Sequence, residues 1–92
     1  MDGLTEGRIV HFVMPNDEHR PAIIVKVWNH ETGYVNLQVF TDGSNDVQMF
    51  QDSERYSQIT REQVSRGILW STSIFPDEET KRAGSWHWIE KA

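Results

Sequence analysis

Two alternating segments, residues 21–28 and 33–40, constrain the fold of this chain more than any other feature. Aliphatic side chains recur at every second position in both, which is the pattern of a strand with one face buried in a sheet. The predicted inner face consists of Val25, Val27, Val35, Leu37 and Val39. Because only the polar stretch at 29–32 separates the two segments, the sequence predicts a β-hairpin at the centre of the protein.

The opposite face of the predicted hairpin is too aromatic for an ordinary solvated surface. Its side chains are Ile24, Lys26, Trp28, Tyr34, Asn36, Gln38 and Phe40. We therefore expect this face to be covered, most simply by a second copy of the chain in a homo-oligomer. The predicted contacts with that copy are Ile24, Tyr34, Gln38 and Phe40.

Three further strands are predicted at residues 8–14, 68–75 and 85–90, in addition to hairpin strands at 22–28 and 34–41. Between residues 48 and 66 the apolar side chains recur every three to four residues and no longer every two. In this segment Thr60-Arg61-Glu62-Gln63 has the form of a capping box. We therefore predict one short helix near residues 61–66, ended by Gly67. The length favours a single domain over residues 1–92, with a loop or helix inserted at about 47–66.

Five short strands with one tight hairpin favour an all-β fold, namely a small, strongly bent barrel. A sheet of this size curls so that its edges are paired and its inner surfaces share one core. The last strand is then expected beside the first.

The charge argues against several classes of function, and the absence of cysteine excludes disulfide bonds and thiolate metal sites. The chain has 14 acidic and 9 basic residues, a formal net charge of −5 and no cysteine. Binding to polymeric nucleic acid requires a basic stripe that displaces counterions, and the sequence has none. The first residues are acidic and polar, and no apolar run approaches the roughly 18–20 residues that span a bilayer. These features predict a protein in the cytoplasm that binds neither nucleic acid polymers nor membranes.

The candidate ligand-binding residues combine aromatic rings with cations that suit a small anionic ligand such as a nucleotide. They are Arg20, Lys26, Trp28, Trp86, His87 and Trp88. Each also has a structural interpretation, which stays open at this point. The tryptophans can fill the core, Arg20 can pair with an acidic neighbour, and the stem of Lys26 can cover apolar surface.

No catalytic residue, cofactor or metal site is predicted. Ser71 and Ser73 lie in a strand without a neighbouring base, so the chain is not expected to be an enzyme. The histidines at positions 11, 19, 30 and 87 lack helical metal-ligand spacing. His11 and His87 meet only if the first and last strands pair, and two histidines without an acid make a weak metal site. Residues 42–46 lack the spacing of a calcium loop and are interpreted as a turn.

Two resemblances add context. Residues 9–42 resemble the Src-homology-3-like barrels, including Tudor-like and KOW-like modules. The strings HRPAIIV at 19–25, NLQVFTDGSND at 36–46, LWSTS at 69–73 and GSWHW at 84–88 resemble a small-protein family of bacteriophages and prophages. The second resemblance implies a phage accessory protein that acts in the cytoplasm of a bacterial host.

Together these observations predict a non-enzymatic binding protein, and the resemblance to the phage family implies that it sequesters a small nucleotide signal of host antiviral defence. The alternatives are a Tudor-like module that binds a peptide or a host protein, and a small structural component of a virion.

Overall fold

The computed structural model describes residues 1–54, 56 and 59–90. Within these residues the chain forms five strands, two short α-helices and a 3-10 turn. The strands are β1 (Ile9–Val13), β2 (His19–Asn29), β3 (Tyr34–Phe40), β4 (Ile68–Ile74) and β5 (Trp86–His87). The 3-10 turn (Gly43–Asp46) and the helices α1 (Val47–Gln51) and α2 (Arg61–Ser65) lie between β3 and β4.

The strands form one antiparallel sheet in the order β4-β3-β2-β1-β5. β5 pairs with β1 through His11–His87 and Phe12–Trp86, so the last strand lies beside the first, as predicted. The ladders do not join β4 to β5, although a single parallel bridge connects Pro76 with Trp86. The predicted β-rich fold with a short helix is therefore confirmed, while the ladders of the described residues do not close the sheet into the predicted barrel.

A β-bulge in β2 corrects the predicted hairpin faces. Ile24 pairs with Leu37 while Lys26 pairs with Asn36, which leaves Val25 as the extra residue. A bulge changes the phase of the alternation, because each side chain beyond it points to the other face. Ile24 is consequently buried in the core, whereas Val25 is 42% exposed. The prediction that Ile24 contacts a second copy of the chain is therefore wrong.

The core lies against one face of the sheet, which we call the inner face. Its strand residues include Val10, Phe12, Ala22, Ile24, Val27, Val35, Leu37, Val39, Leu69, Ile74 and Trp86. The helices cover this face with Val47 and Phe50 from α1 and with Val64 from α2. The short helices therefore complete a core that the strands alone leave open.

The predicted helix near residues 61–66 is confirmed as α2. The Thr60 side chain accepts a hydrogen bond from the backbone N–H of Gln63 at 3.2 Å, and Gln63 Oε1 accepts one from the backbone N–H of Thr60 at 2.9 Å. The sequence did not predict α1, because its five residues are too few for a helical period to show. Positions 55, 57 and 58 of the predicted insertion lie outside the described residues. No helix in the described part of the chain is long and apolar enough to cross a membrane.

Candidate binding surface on the outer face of the sheet

The face of the sheet opposite the core, which we call the outer face, contains both candidate sites of this protein. Strand register places Ile9, Ile23, Gln38 and Trp70 in one row across β1 to β4. One step along the strands, Phe40 lies opposite Ile68, and His11 lies between Pro21 and His87. Phe40, Ile68 and Trp70 therefore lie together on β3 and β4, and histidines lie together on β1, β2 and β5.

Large apolar side chains on this face form what we call the aromatic surface. It consists of Trp28, Tyr34, Phe40, Ile68 and Trp70, whose exposed fractions run from 38% for Phe40 to 54% for Trp28. The pairing of Phe40 with Ile68 and of Gln38 with Trp70 brings Phe40, Ile68 and Trp70 together on neighbouring strands. Adjacent exposed rings of this size mark an interaction surface more often than a solvated one.

Asn36 fixes the position of Trp28 from below. Its Oδ1 accepts a hydrogen bond from Trp28 Nε1 at 2.7 Å and another from the backbone N–H of Ser73 at 2.9 Å. Asn36 is itself buried, and Ser73 has a positive φ of 54° at an irregularity in β4. Lys26 Nζ lies 4.1 Å from the centroid of the Trp28 ring, within cation–π range. The Trp28 indole is therefore exposed and held in place.

Arg20, Trp86 and Trp88 do not join Lys26 and Trp28 in one site. Trp86 is fully buried on the inner face, where its Nε1 donates to the carbonyl of Gly33 at 2.8 Å. Trp88 packs edge-on against Trp86, with ring centroids 5.0 Å apart. Arg20 donates to both carboxylate oxygens of Asp46, at 3.2 and 2.8 Å. Trp86 is therefore a core residue in this structure, and the Arg20 guanidinium already has an anionic partner.

The outer face also contains a polar group, which we call the histidine cluster. It consists of His11, His19, His87 and Glu90. The rings come from β1, β2 and β5, with centroid separations of 5.7, 5.5 and 4.5 Å. Glu90 follows β5 and faces all three rings. Its carboxylate oxygens lie 3.4 Å from His11 Nδ1, 3.5 Å from His19 Nδ1 and 3.0 Å from His87 Nε2.

His87 is the buried member of the cluster. Its side chain is fully buried, and among the described residues neither of its ring nitrogens has a hydrogen-bond partner. The 3.0 Å approach of Nε2 to Glu90 lacks the angles of a hydrogen bond. Burial lowers the pKa of His87 despite the opposing charges of Glu90 and Glu78, which favours the neutral imidazole.

The charge on Glu90 is stabilised by the rings that it faces. Desolvation raises the pKa of this carboxyl, but the hydrogen bond with His11 and the positive charge that the three rings carry when protonated outweigh that effect. Its pKa consequently lies below the ordinary value of 4.5. The cluster therefore favours the ionised form of Glu90 and the neutral form of His87.

Sequence reasoning anticipated only part of this cluster. It foresaw that His11 and His87 meet if the outer strands pair, but it missed His19 and Glu90. The predicted strand begins only at residue 22 and so leaves out His19, whereas β2 begins at His19 and places it beside β1. The first residues of β2 are polar, and the sequence alone does not distinguish a polar strand start from a loop.

Comparison with protein-family models, with curated proteins and with solved structures finds no match to this chain.

Proposed function

We propose that this chain is a non-enzymatic interaction module that binds a protein partner through the aromatic surface. The observation that carries the proposal is the exposure of Phe40, Ile68 and Trp70 as neighbours on one face of the sheet. The core is complete without them, because the inner face is already filled by the strands and helices. Side chains exposed in this way gain stability only when another molecule buries them.

The chemistry of the surface indicates what kind of partner it suits. Tryptophan and tyrosine contribute strongly to binding because they bury a large area with little loss of conformational entropy. The charge that lies against the aromatic surface is the Lys26 ammonium beside Trp28, whereas the chain as a whole has a net charge of −5. We therefore propose a partner with an apolar centre and basic residues at its rim.

We also propose a more specific fold for this chain. We infer a Src-homology-3-like barrel of the Tudor or KOW type, in which the exposed aromatic rings bind a peptide or a host protein. Two observations support it: the pairing of β5 with β1, and the bridge between Pro76 and Trp86 that links the end of the β4 segment to β5.

The proposal is tested by selecting binders from a library of displayed random peptides on the immobilised full chain. Selected peptides are expected to be rich in aromatic and basic residues. Their affinity for Trp70→Lys is expected to fall at least about tenfold, because a desolvated hot-spot residue contributes about 2 kcal/mol or more. Ile89→Lys is the matched control, since Ile89 has similar exposure (47%, against 48% for Trp70) outside the aromatic surface.

Three outcomes decide against this proposal. If the selected peptides bind wild type and Trp70→Lys with equal affinity, the aromatic surface is not their binding site. A stable oligomer that dissociates on Trp70→Lys would mean that a second copy of the chain, or a virion assembly, occupies the surface. Thermal stabilisation by a nucleotide that is lost in Trp28→Ala would assign the protein to nucleotide sequestration.

The nucleotide alternative is favoured by one specific observation. Trp28 is 54% exposed, and Lys26 approaches its ring, so a stacking ring and a cation occur together. A base stacked on Trp28 is expected to contribute about 1–3 kcal/mol, with Lys26 available to a phosphate. In this version the chain acts as a phage accessory protein that removes a signal of host defence.

A further inference from the structure

We propose that the histidine cluster is a binding site for a divalent transition metal, with zinc as its best-suited ion. His11, His19, His87 and Glu90 each offer one ligand atom, and these atoms all lie within 4.8 Å of one another. The proposal rests on these four residues and does not depend on the aromatic surface.

The strand register explains why the ligands converge. His11 and His87 are direct cross-strand partners, and His19 lies on the other side of β1, opposite Val13. Side chains at such positions on one face of a sheet are close neighbours. Glu90 reaches the same point from the segment that follows β5. The three imidazoles are therefore positioned by hydrogen-bonded strands and not by loops, which favours a preformed site.

The separations are close to those of a tetrahedral centre. Zinc bonds to nitrogen and oxygen of about 2.0–2.1 Å place neighbouring ligand atoms roughly 3.3–3.4 Å apart. The carboxylate oxygens of Glu90 already lie 3.0, 3.4 and 3.5 Å from nitrogens of the three rings. The remaining ligand atoms lie within 4.8 Å of one another, so a bound ion requires the most distant of them to approach by up to about 1.4 Å.

The buried state of His87 is a second and independent observation. A fully buried imidazole normally has a partner for at least one ring nitrogen, because an unsatisfied buried polar group destabilises the fold. Among the described residues, both nitrogens of His87 lack one. A metal ion bound at Nε2 would satisfy that nitrogen and turn the contact with Glu90 into shared coordination.

The donor set discriminates between metals. Three imidazoles and one carboxylate suit zinc and its neighbours cobalt, nickel and copper, whereas magnesium and calcium prefer oxygen ligands. Four protein ligands close the coordination sphere, which is typical of a structural centre. The ion would fasten the segment at 88–90, which has no regular secondary structure, to β1 and β2.

The test uses the full chain without an affinity tag, stripped of metal by a chelator and titrated calorimetrically with zinc chloride. One zinc ion per chain is expected to bind. At a hundredfold excess over its dissociation constant, zinc is expected to raise the Tm by about 10 °C or more. Cobalt(II) is expected to give the intense visible bands of a four-coordinate centre.

Two partly exposed ligands provide the variants, His19→Ala and Glu90→Gln, and circular dichroism checks that both remain folded. Each is expected to weaken zinc binding at least about tenfold, since even changes to residues behind the ligands cost about 10–100-fold. His30→Ala is the matched control, because His30 is an exposed histidine outside the cluster, and it is expected to bind zinc like wild type.

The proposal is overturned if zinc binds wild type, His19→Ala and Glu90→Gln with equal affinity. It is also overturned if the wild-type titration shows no one-to-one transition. A weak cobalt spectrum typical of six-coordination would exclude the four-ligand centre even if both variants failed to fold.

Discussion

Arg20 and Asp46 form the best-defined buried ion pair among the described residues. Asp46 is almost completely buried and accepts two hydrogen bonds from the guanidinium and a third from the backbone N–H of Asp42, at 2.7 Å. Burial raises the pKa of Asp46, but the bonds from Arg20 and Asp42 lower it more, so the carboxyl stays ionised. The pair joins β2 to the turn that precedes α1.

At this scale we predict that Asp46→Ala lowers the free energy of unfolding by about 3 kcal/mol, because it leaves a largely buried guanidinium without its main partner. Urea unfolding followed by circular dichroism measures the change. The exposed pair Arg66–Glu62 is the control, and Glu62→Ala is expected to change stability by about 0.5 kcal/mol or less. Similar effects of the two substitutions would contradict the structural role of Arg20.

The turn between β4 and β5 is organised by Asp77. Its carboxylate accepts hydrogen bonds from the backbone N–H of Thr80 at 3.0 Å and from Arg82 Nε at 2.6 Å. The Arg82 guanidinium, with help from the Thr80 N–H, lowers the pKa of Asp77 from 3.8 to about 2. Because folding lowers the pKa of Asp77, its ionised carboxylate stabilises the fold at pH values above the ordinary pKa of 3.8. This stabilisation is lost as the pH falls toward 2.

We therefore predict that the carboxyl carbon of Asp77 titrates in NMR spectra with a midpoint of about 2 in wild type. In Arg82→Ala the midpoint is expected to rise toward 3.8, and the turn is expected to loosen at a higher pH. Lys81→Ala is the control, since the Lys81 ammonium donates to the carbonyl of Glu78 and not to Asp77. Equal midpoints in wild type and Arg82→Ala would contradict this account.

At the scale of the whole molecule, the hairpin turn between β2 and β3 contacts the last strand, β5. Trp86 fills the core and donates to the carbonyl of Gly33, and its strand is bridged to Pro76. Gly33 has a φ of +82°, and a Cβ at this position would lie 2.7 Å from Pro76 Cγ. A glycine is required here by both the backbone conformation and the close approach of Pro76.

We predict that Trp86→Ala lowers the free energy of unfolding by about 3–5 kcal/mol. That is a large part of the total stability of a domain of this size, about 5–15 kcal/mol. The expected result is a chain that is largely unfolded at 37 °C, measured by thermal denaturation. Trp70→Ala, at an exposed tryptophan, is expected to cost about 1 kcal/mol or less. Equal losses would mean that Trp70 is part of the structural core.

Local signals determined much of the fold. The alternation in β2 and β3 predicted the hairpin, because a strand with one buried face repeats every two residues. The capping box at Thr60 predicted α2, because it satisfies the helix N-terminus with neighbouring side chains. The exposure of Trp28, Tyr34 and Phe40 also follows from the pattern. These features depend on residues that are close together in the chain, so the sequence contains the information directly.

Other features of the fold and of the candidate sites depend on contacts between segments that are distant in the chain. The bulge at Val25 depends on how β2 aligns with β3, and it exchanged the environments of Ile24 and Val25. The burial of Trp86 and the meeting of His19 with Glu90 depend on the pairing of strands that are far apart in sequence. Strand register is set by the energy of the whole core, and no short segment of the sequence encodes that energy.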